Sequence, residues 1–329
     1  MLALARRIDC FRETEAGSGS RIDRRPARHS GQADGFPVHG FEAERLWGPY
    51  NDWEPAIAID RATGYVYQLT TRYDGPEPCK RCAGPNIIFR RSGDGGATWE
   101  ADQFLTPFRK SHNDPQIEVA GKGTIYAAWL NDYVPGVKFV KSGDCGMTWN
   151  SPITITTKST KPNWSDKPVL SVSGDGKDVY IAFNASDSFV VASHNFGATF
   201  SQPIRTNNDK RYWFHTGGAV APKGNVYLAV TDYSLDDTGN AYINVLKSSN
   251  GGVTWSTTRV DTSKEASRCD WSPGCYLGFF GPSAAIAVDV EGTGMMQIRD
   301  LIKFQGLCDR GYHPLTYPDR CLSLSPYLL

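Results

Sequence analysis

The sequence predicts an all-β chain assembled from repeated four-stranded antiparallel sheets, and three observations predict it. The octet Ser142-Gly143-Asp144-Cys145-Gly146-Met147-Thr148-Trp149 recurs as Ser92-Gly93-Asp94-Gly95-Gly96-Ala97-Thr98-Trp99 and Ser248-Ser249-Asn250-Gly251-Gly252-Val253-Thr254-Trp255. A looser copy runs Ser193-His194-Asn195-Phe196-Gly197-Ala198-Thr199-Phe200. The first serines lie 50, 51 and 55 residues apart, and so regular a spacing marks one supersecondary unit used repeatedly. Short apolar and aromatic runs alternate with Gly-containing turns between the octets, and 33 Gly, 20 Pro, 9 Trp and 15 Tyr suit many short strands.

The octet is built to turn. Its Asp or Asn (Asp94, Asp144, Asn195, Asn250) can accept hydrogen bonds from backbone N–H groups just ahead, and its Ser can join that network. Gly at the fifth position permits positive φ. Thr and the aromatic residue then enter the next strand, where the ring is expected to plug the edge of its own sheet. These four acids and amides are read as structural.

Within each repeat the order is constant. A short apolar strand comes first, at 56–60, 116–120, 168–172, 218–221 and 284–289. An aromatic-rich strand follows, at 65–70, 124–130, 178–184 and 225–231. A third strand, at 86–90, 137–141, 189–193 and 242–247, leads into the octet. A fourth, outer strand follows it, such as 153–157 or 257–260. Four antiparallel strands in about 50 residues make a β-propeller blade. A β-sandwich would not return the same turn at every fourth strand.

The expected organisation is a disordered Arg-rich segment at 1–36, blades over 37–297 and an irregular tail at 298–329. The first 35 residues hold seven Arg, no Lys and a Gly-Ser-Gly-Ser run. Leu2–Ala5 is too short for the apolar core of a leader peptide, and Asp9, Glu13 and Glu15 argue against a transit peptide. Four complete blades and the start of a fifth are legible, and the pattern stops after Gly294. The expectation is a reading frame truncated or shifted near 295–300, with 41–47 available as an outer strand to close a ring.

Lys+Arg and Asp+Glu are 35 each, which points away from nucleic acid and anionic membranes as partners. No apolar run approaches the roughly 20 residues of a membrane span. Oligomeric state stays open. Cys79/Cys82 and Cys269/Cys275 each sit in one loop, where a local disulfide or, less readily, a zinc site is open to them. Cys145 reads as a lone thiol.

Blade topology gathers the entries of the first strands, and the loops between second and third strands, at one end of a common axis. That mouth receives Glu54, Asp114 and Asp166 as candidate catalytic carboxylates, since paired carboxyls can do acid/base work on a glycosidic bond. Around them lie Arg72, Asp132, Tyr133, Trp164, His215, Asp232 and Tyr233 as candidate ligand-binding groups, with rings that can stack on sugars. The same acids could offer Ca²⁺ hard oxygen ligands, although no cofactor or metal is called for. The competing reading is that each Asp or Asn caps a strand entry.

The S-x-D-x-G-x-T-W octet resembles the Asp-box, or bacterial neuraminidase repeat, of sialidase-superfamily propellers, over about residues 50–300. That resemblance implies a six-bladed propeller, present here as four blades plus part of a fifth. It implies a sialidase-like exo-glycosidase acting on glycans at the axial mouth, or a non-catalytic propeller binding glycan or protein there. A nonfunctional fragment is the third alternative. Extracytoplasmic placement fits the family's habit. The family's Arg-Ile-Pro motif is not matched: Arg7-Ile8 and Arg21-Ile22 are both followed by Asp. The family's catalytic Tyr and last carboxylate-clamping Arg belong to late blades, so no catalytic residue is carried over.

Overall fold

The computed structural model describes residues 48–80, 82, 84–105, 111–132, 136–156, 162, 165–235, 239–262, 284–288 and 296–299. Tyr133, Trp164, Cys269, Cys275, the 1–36 segment, the 41–47 strand and the tail beyond 299 lie outside these residues.

Four four-stranded antiparallel sheets follow one another along the chain. The first contains β1 (Asp52–Ile59), β2 (Val66–Arg72), β3 (Asn86–Ser92) and β4 (Gln103–Phe104). The second contains β5 (His112–Gly121), β6 (Thr124–Asn131), β7 (Val137–Ser142) and β8 (Ile153–Thr154). The third contains β9 (Asp166–Val172), β10 (Val179–Ala185), β11 (Asp187–Ser193) and β12 (Ile204–Arg205). The fourth contains β13 (Tyr212–Val220), β14 (Val226–Tyr233), β15 (Tyr242–Ser248) and β16 (Ser256–Thr262). A hairpin of β17 (Ala285–Val288) and β18 (Met296–Arg299) comes last. In each sheet the strands pair in sequence order, so every blade is a meander. β1 packs on β5, β5 on β9, β9 on β13 and β13 on β17. First strands therefore meet one another at the centre and fourth strands lie outside.

The cores lie between blades. Tyr67, Leu69, Ile87 and Phe89 of the first blade bury against Ile117, Ile125, Ala127 and Trp129 of the second. Tyr126, Ala128 and Phe139 meet Leu170, Ile181 and Phe183 of the third. Val169, Tyr180 and Val190 meet Trp213, Leu228 and Leu246 of the fourth. On the other side of β1, Ile57 and Ile59 are 65% and 61% exposed.

All four octets form the same hydrogen-bonded corner. In the first, Ser92 Oγ donates to Asp94 Oδ1 (2.7 Å) and accepts from Gly96 N (2.8 Å). Asp94 also accepts from Thr98 N (2.8 Å) and Thr98 Oγ1 (2.6 Å), and the Thr98 hydroxyl and backbone N–H hold its carboxyl down to about 2. Asp144 takes the same bonds from Ser142 and Thr148. Asn195 and Asn250 accept from the Thr N–H, and their amide groups donate to Thr199 and Thr254.

The aromatic residue at the end of the octet does more than plug its own sheet, which corrects the sequence expectation. Trp149 of the second blade stands edge-on to Phe89 of the first, at 5.1 Å between centroids. Phe200 of the third blade meets Phe139 of the second in the same way, at 5.0 Å. The fifth-position glycine packs on the same ring: a Cβ at Gly146 or Gly197 would overlap the Phe89 or Phe139 ring. Arg91 Nη1 adds a bond to the Cys145 carbonyl across the same joint (2.9 Å). The octet is thus a clasp onto the preceding blade.

Two expectations on cysteine meet the structure here. Cys79 and Cys82 form a disulfide. Cys145 is also disulfide-bonded and fully buried, which corrects the lone-thiol reading. The outer strands are shorter than expected, two residues each in β4, β8 and β12, because the chain leaves the edge once the octet has turned.

Glu118 on β5 lies opposite Tyr126, and burial lifts its carboxyl to about 7. A folded-state value above the unfolded one means stability that is full below about pH 4 and is lost as pH rises toward 7. Glu118→Gln is expected to stabilise the protein at pH 8 by on the order of 2 kcal/mol and to change little at pH 4. Thermal unfolding at the two pH values checks this, and an equal effect at both would reject it.

Candidate functional site

The first strands begin earlier than the sequence suggests, because each entry stays in the ladder across a β-bulge. Register shifts fall between Trp53 and Ala56, between Asn113 and Gln116, and between His215 and Gly217. In the third blade the shift falls opposite Lys167 and Pro168, between Ala182 and Asn184. Trp53, Asn113, Asp166 and His215 are therefore equivalent, and the next residues in the bulge are Glu54, Asp114, Lys167 and Thr216. Glu54, Asp114 and Lys167 have φ of 55°, 51° and 43°, a left-handed conformation costly for side-chain-bearing residues. Each is followed by proline. A bulge re-aims the side chain it carries, and these three are turned to one place at the centre.

Glu54 Oε2 accepts from Thr71 Oγ1 and from the backbone N–H of Asp114, each at 2.9 Å. Lys167 Nζ donates to Asp114 Oδ1 at 2.6 Å and lies 3.8 Å from Glu54 Oε1. Asp166 Oδ1 accepts from the Lys167 N–H (2.9 Å). Three blades thus supply one contact cluster. The sequence reading named Glu54 and Asp114 and placed Asp166 as their equivalent. The structural equivalent is Lys167, one residue on, and Asp166 stands beside it. The recurring acid-or-Lys before proline, at 54, 114 and 167, was the signal that could have found it.

The carboxyls are driven apart in acidity. Burial raises Asp114, and the hydrogen bond and charge of Glu54 raise it further, to about 7 against the pull of Lys167. Burial also pushes Glu54 up, but hydrogen bonds from the Asp114 side chain and backbone, with Lys167 and Thr71, outweigh it and leave Glu54 below its ordinary value. Of the two, Asp114 is the carboxyl that keeps its proton to the higher pH. Asp166 is raised, chiefly by burial. Lys167 is raised: burial works against the charge, and Asp114, Glu54 and Asp166 outweigh it. Beside the cluster, Trp53 (58% exposed) meets Tyr73 (47% exposed) edge-on at 6.0 Å, and the Glu54 and Asp114 charges, after burial, raise the Tyr73 phenol.

Several expected ligand groups have other partners. Arg72 is 3% exposed; Nε and Nη2 each bond Asp52 at 2.7 Å, and Nη1 bonds Asp102 at 2.5 Å. Its guanidinium also lies over Tyr50, 4.4 Å from the ring centroid. Asp232 is buried, bonded by Arg211 Nε and Asn244 Nδ2. His215 is 1% exposed, its Nε2 3.0 Å from Ser188 Oγ, and burial lowers it to about 3. Sheet packing closes over all three. Asp132, with φ of 60°, donates its N–H to Ser111 O (2.8 Å), and Tyr233 stacks on Tyr212 at 5.1 Å. Among the described residues no group of three His, Cys, Asp or Glu side chains is placed to hold a metal ion, and the Lys167 ammonium sits where the acids converge.

No protein-family model matches the chain, and no curated protein does. Among solved structures, it is similar to the NanB sialidase of Streptococcus pneumoniae, at 13% identity over 73% of this chain and 51% of that one, TM-score 0.49. It is also similar to the intramolecular trans-sialidase of Ruminococcus gnavus, at 11% identity over 76% of this chain and 73% of that one, TM-score 0.48. An α-L-arabinofuranosidase of Clostridium thermocellum is similar at 15% identity over 73% and 79%, TM-score 0.45. The chain spans about half the length of the pneumococcal sialidase chain (51%).

Proposed function

We propose that the axial mouth is a glycan site of the sialidase-like propeller kind, and that it acts on a glycosidic bond as an exo-glycosidase. The observation that supports this is the contact cluster of Glu54, Asp114 and Lys167, one residue from each of three blades, held on strained bulges. Asp114 keeps a proton near neutrality and is the group to donate it to a leaving oxygen, the task of a raised carboxyl. Glu54 stays ionised, sets the Asp114 proton and holds its backbone. Lys167 orients the Asp114 carboxyl. Asp166, which accepts from the Lys167 N–H, is assigned to the other side of the bond. Trp53 and Tyr73 offer exposed rings to a sugar face.

A second reading, binding without turnover, has its own support. Glu54 and Asp114 are in hydrogen-bond contact, closer than the roughly 5 Å that separates a nucleophile from an acid in retaining glycosidases. Release of nitrophenol from a panel of nitrophenyl glycosides decides between the two. Turnover that Asp114→Asn removes supports hydrolysis. Saturable binding with no turnover supports the second reading, and neither response rejects the glycan site. Trp53→Ala is expected to weaken sugar binding about tenfold while leaving thermal unfolding unchanged. Unchanged binding in titration calorimetry would remove the ring from the site.

A further inference from the structure

We infer that the sugar this mouth accepts carries no carboxylate, so that uncharged glycosides are taken in preference to sialosides and uronides. This rests on the glycan reading above and narrows it. A sugar carboxylate is best held by a guanidinium fork. Among the described residues, strand order brings Arg72 and Arg211 toward the mouth, and both forks are already committed. Arg72 is clamped between Asp52 and Asp102. Arg211 bonds the Asp232 carboxylate and carbonyl, and its Nη2 donates to Asn240 O (2.8 Å). What the described residues present at the centre instead is three carboxyl groups, Glu54, Asp114 and Asp166, around the Lys167 ammonium.

The three carboxyl groups outnumber the ammonium, which is spent on Asp114 at 2.6 Å, so the set is biased toward negative charge. A carboxylate arriving about 6 Å from the unbalanced charge is disfavoured by roughly ten- to a hundredfold at the effective dielectric of such a site. Trp53 and Tyr73 bind through ring faces, which suits the C–H surface of a neutral sugar and needs no charge.

The test is a set of matched pairs that differ in one group: nitrophenyl glucoside against glucuronide and galactoside against galacturonide, in both anomers, with methylumbelliferyl sialoside alongside. Binding of each is followed by calorimetry and turnover by chromophore release, on the full chain. The expected result is a preference for the uncharged member of about tenfold or more at low salt, narrowing as salt rises. Glu54→Gln, read in binding alone, should shrink that gap about tenfold. Equal or better acceptance of the glucuronide, galacturonide or sialoside overturns the inference and leaves the glycan site standing. A gap that Glu54→Gln leaves unaltered overturns it too. No response to any sugar rejects the glycan site itself, and this inference with it.

Discussion

Asp114→Asn is expected to reduce glycoside turnover by 10²- to 10⁴-fold, the ordinary worth of a positioned general acid. The side chain keeps its shape and loses only the proton. Substrate affinity should hold, because Trp53 and Tyr73 do not depend on it. The pH profile is the sharper readout. The wild-type rate should fall as pH rises through about 7, where Asp114 gives up its proton. The residual rate of the variant should lack that limb. Retention of the limb in the variant would assign it to another group and withdraw Asp114 from the chemistry.

The second large effect concerns the clasp. Gly146→Ala should destabilise the protein by about 3 kcal/mol, and Gly96→Ala by only about 1 kcal/mol. Both glycines have positive φ, 78° and 96°, so both variants bear the left-handed penalty. They differ in what the new methyl meets. At Gly146 it meets the Phe89 ring, which is fully buried and also in edge-on contact with Trp149. At Gly96 it meets only Trp99 of its own turn, at 3.8 Å. Chemical denaturation of the two variants compares them directly. Equal losses would mean that the octet is a turn and nothing more.

The difference between those glycines shows what local pattern can carry. The octets are legible because every bond in the corner joins residues at most four apart, such as Thr98 to Asp94. The entry residues Glu54 and Asp114 were legible because they recur at one place in successive blades. Lys167 was not. A register difference of one residue hid it behind Asp166, and only the bulge in β9 fixes which of the two turns inward. The ion pairs of Arg72 were not legible for a related reason. Its partner Asp102 lies 30 residues on, just before a two-residue outer strand.

By itself, the sequence determined that this chain is a series of four-stranded meanders cornered by a Ser/Asp/Gly/Thr turn, since those interactions close within eight residues. Tertiary structure alone decided which charges stay available at the axis. That choice depends on pairing between strands far apart in sequence: Asp52 and Asp102 take Arg72, Asp232 takes Arg211, and Lys167 is left to meet Asp114. A charge is neutralised by whatever lies within a few ångströms of it, and sequence spacing does not report that distance.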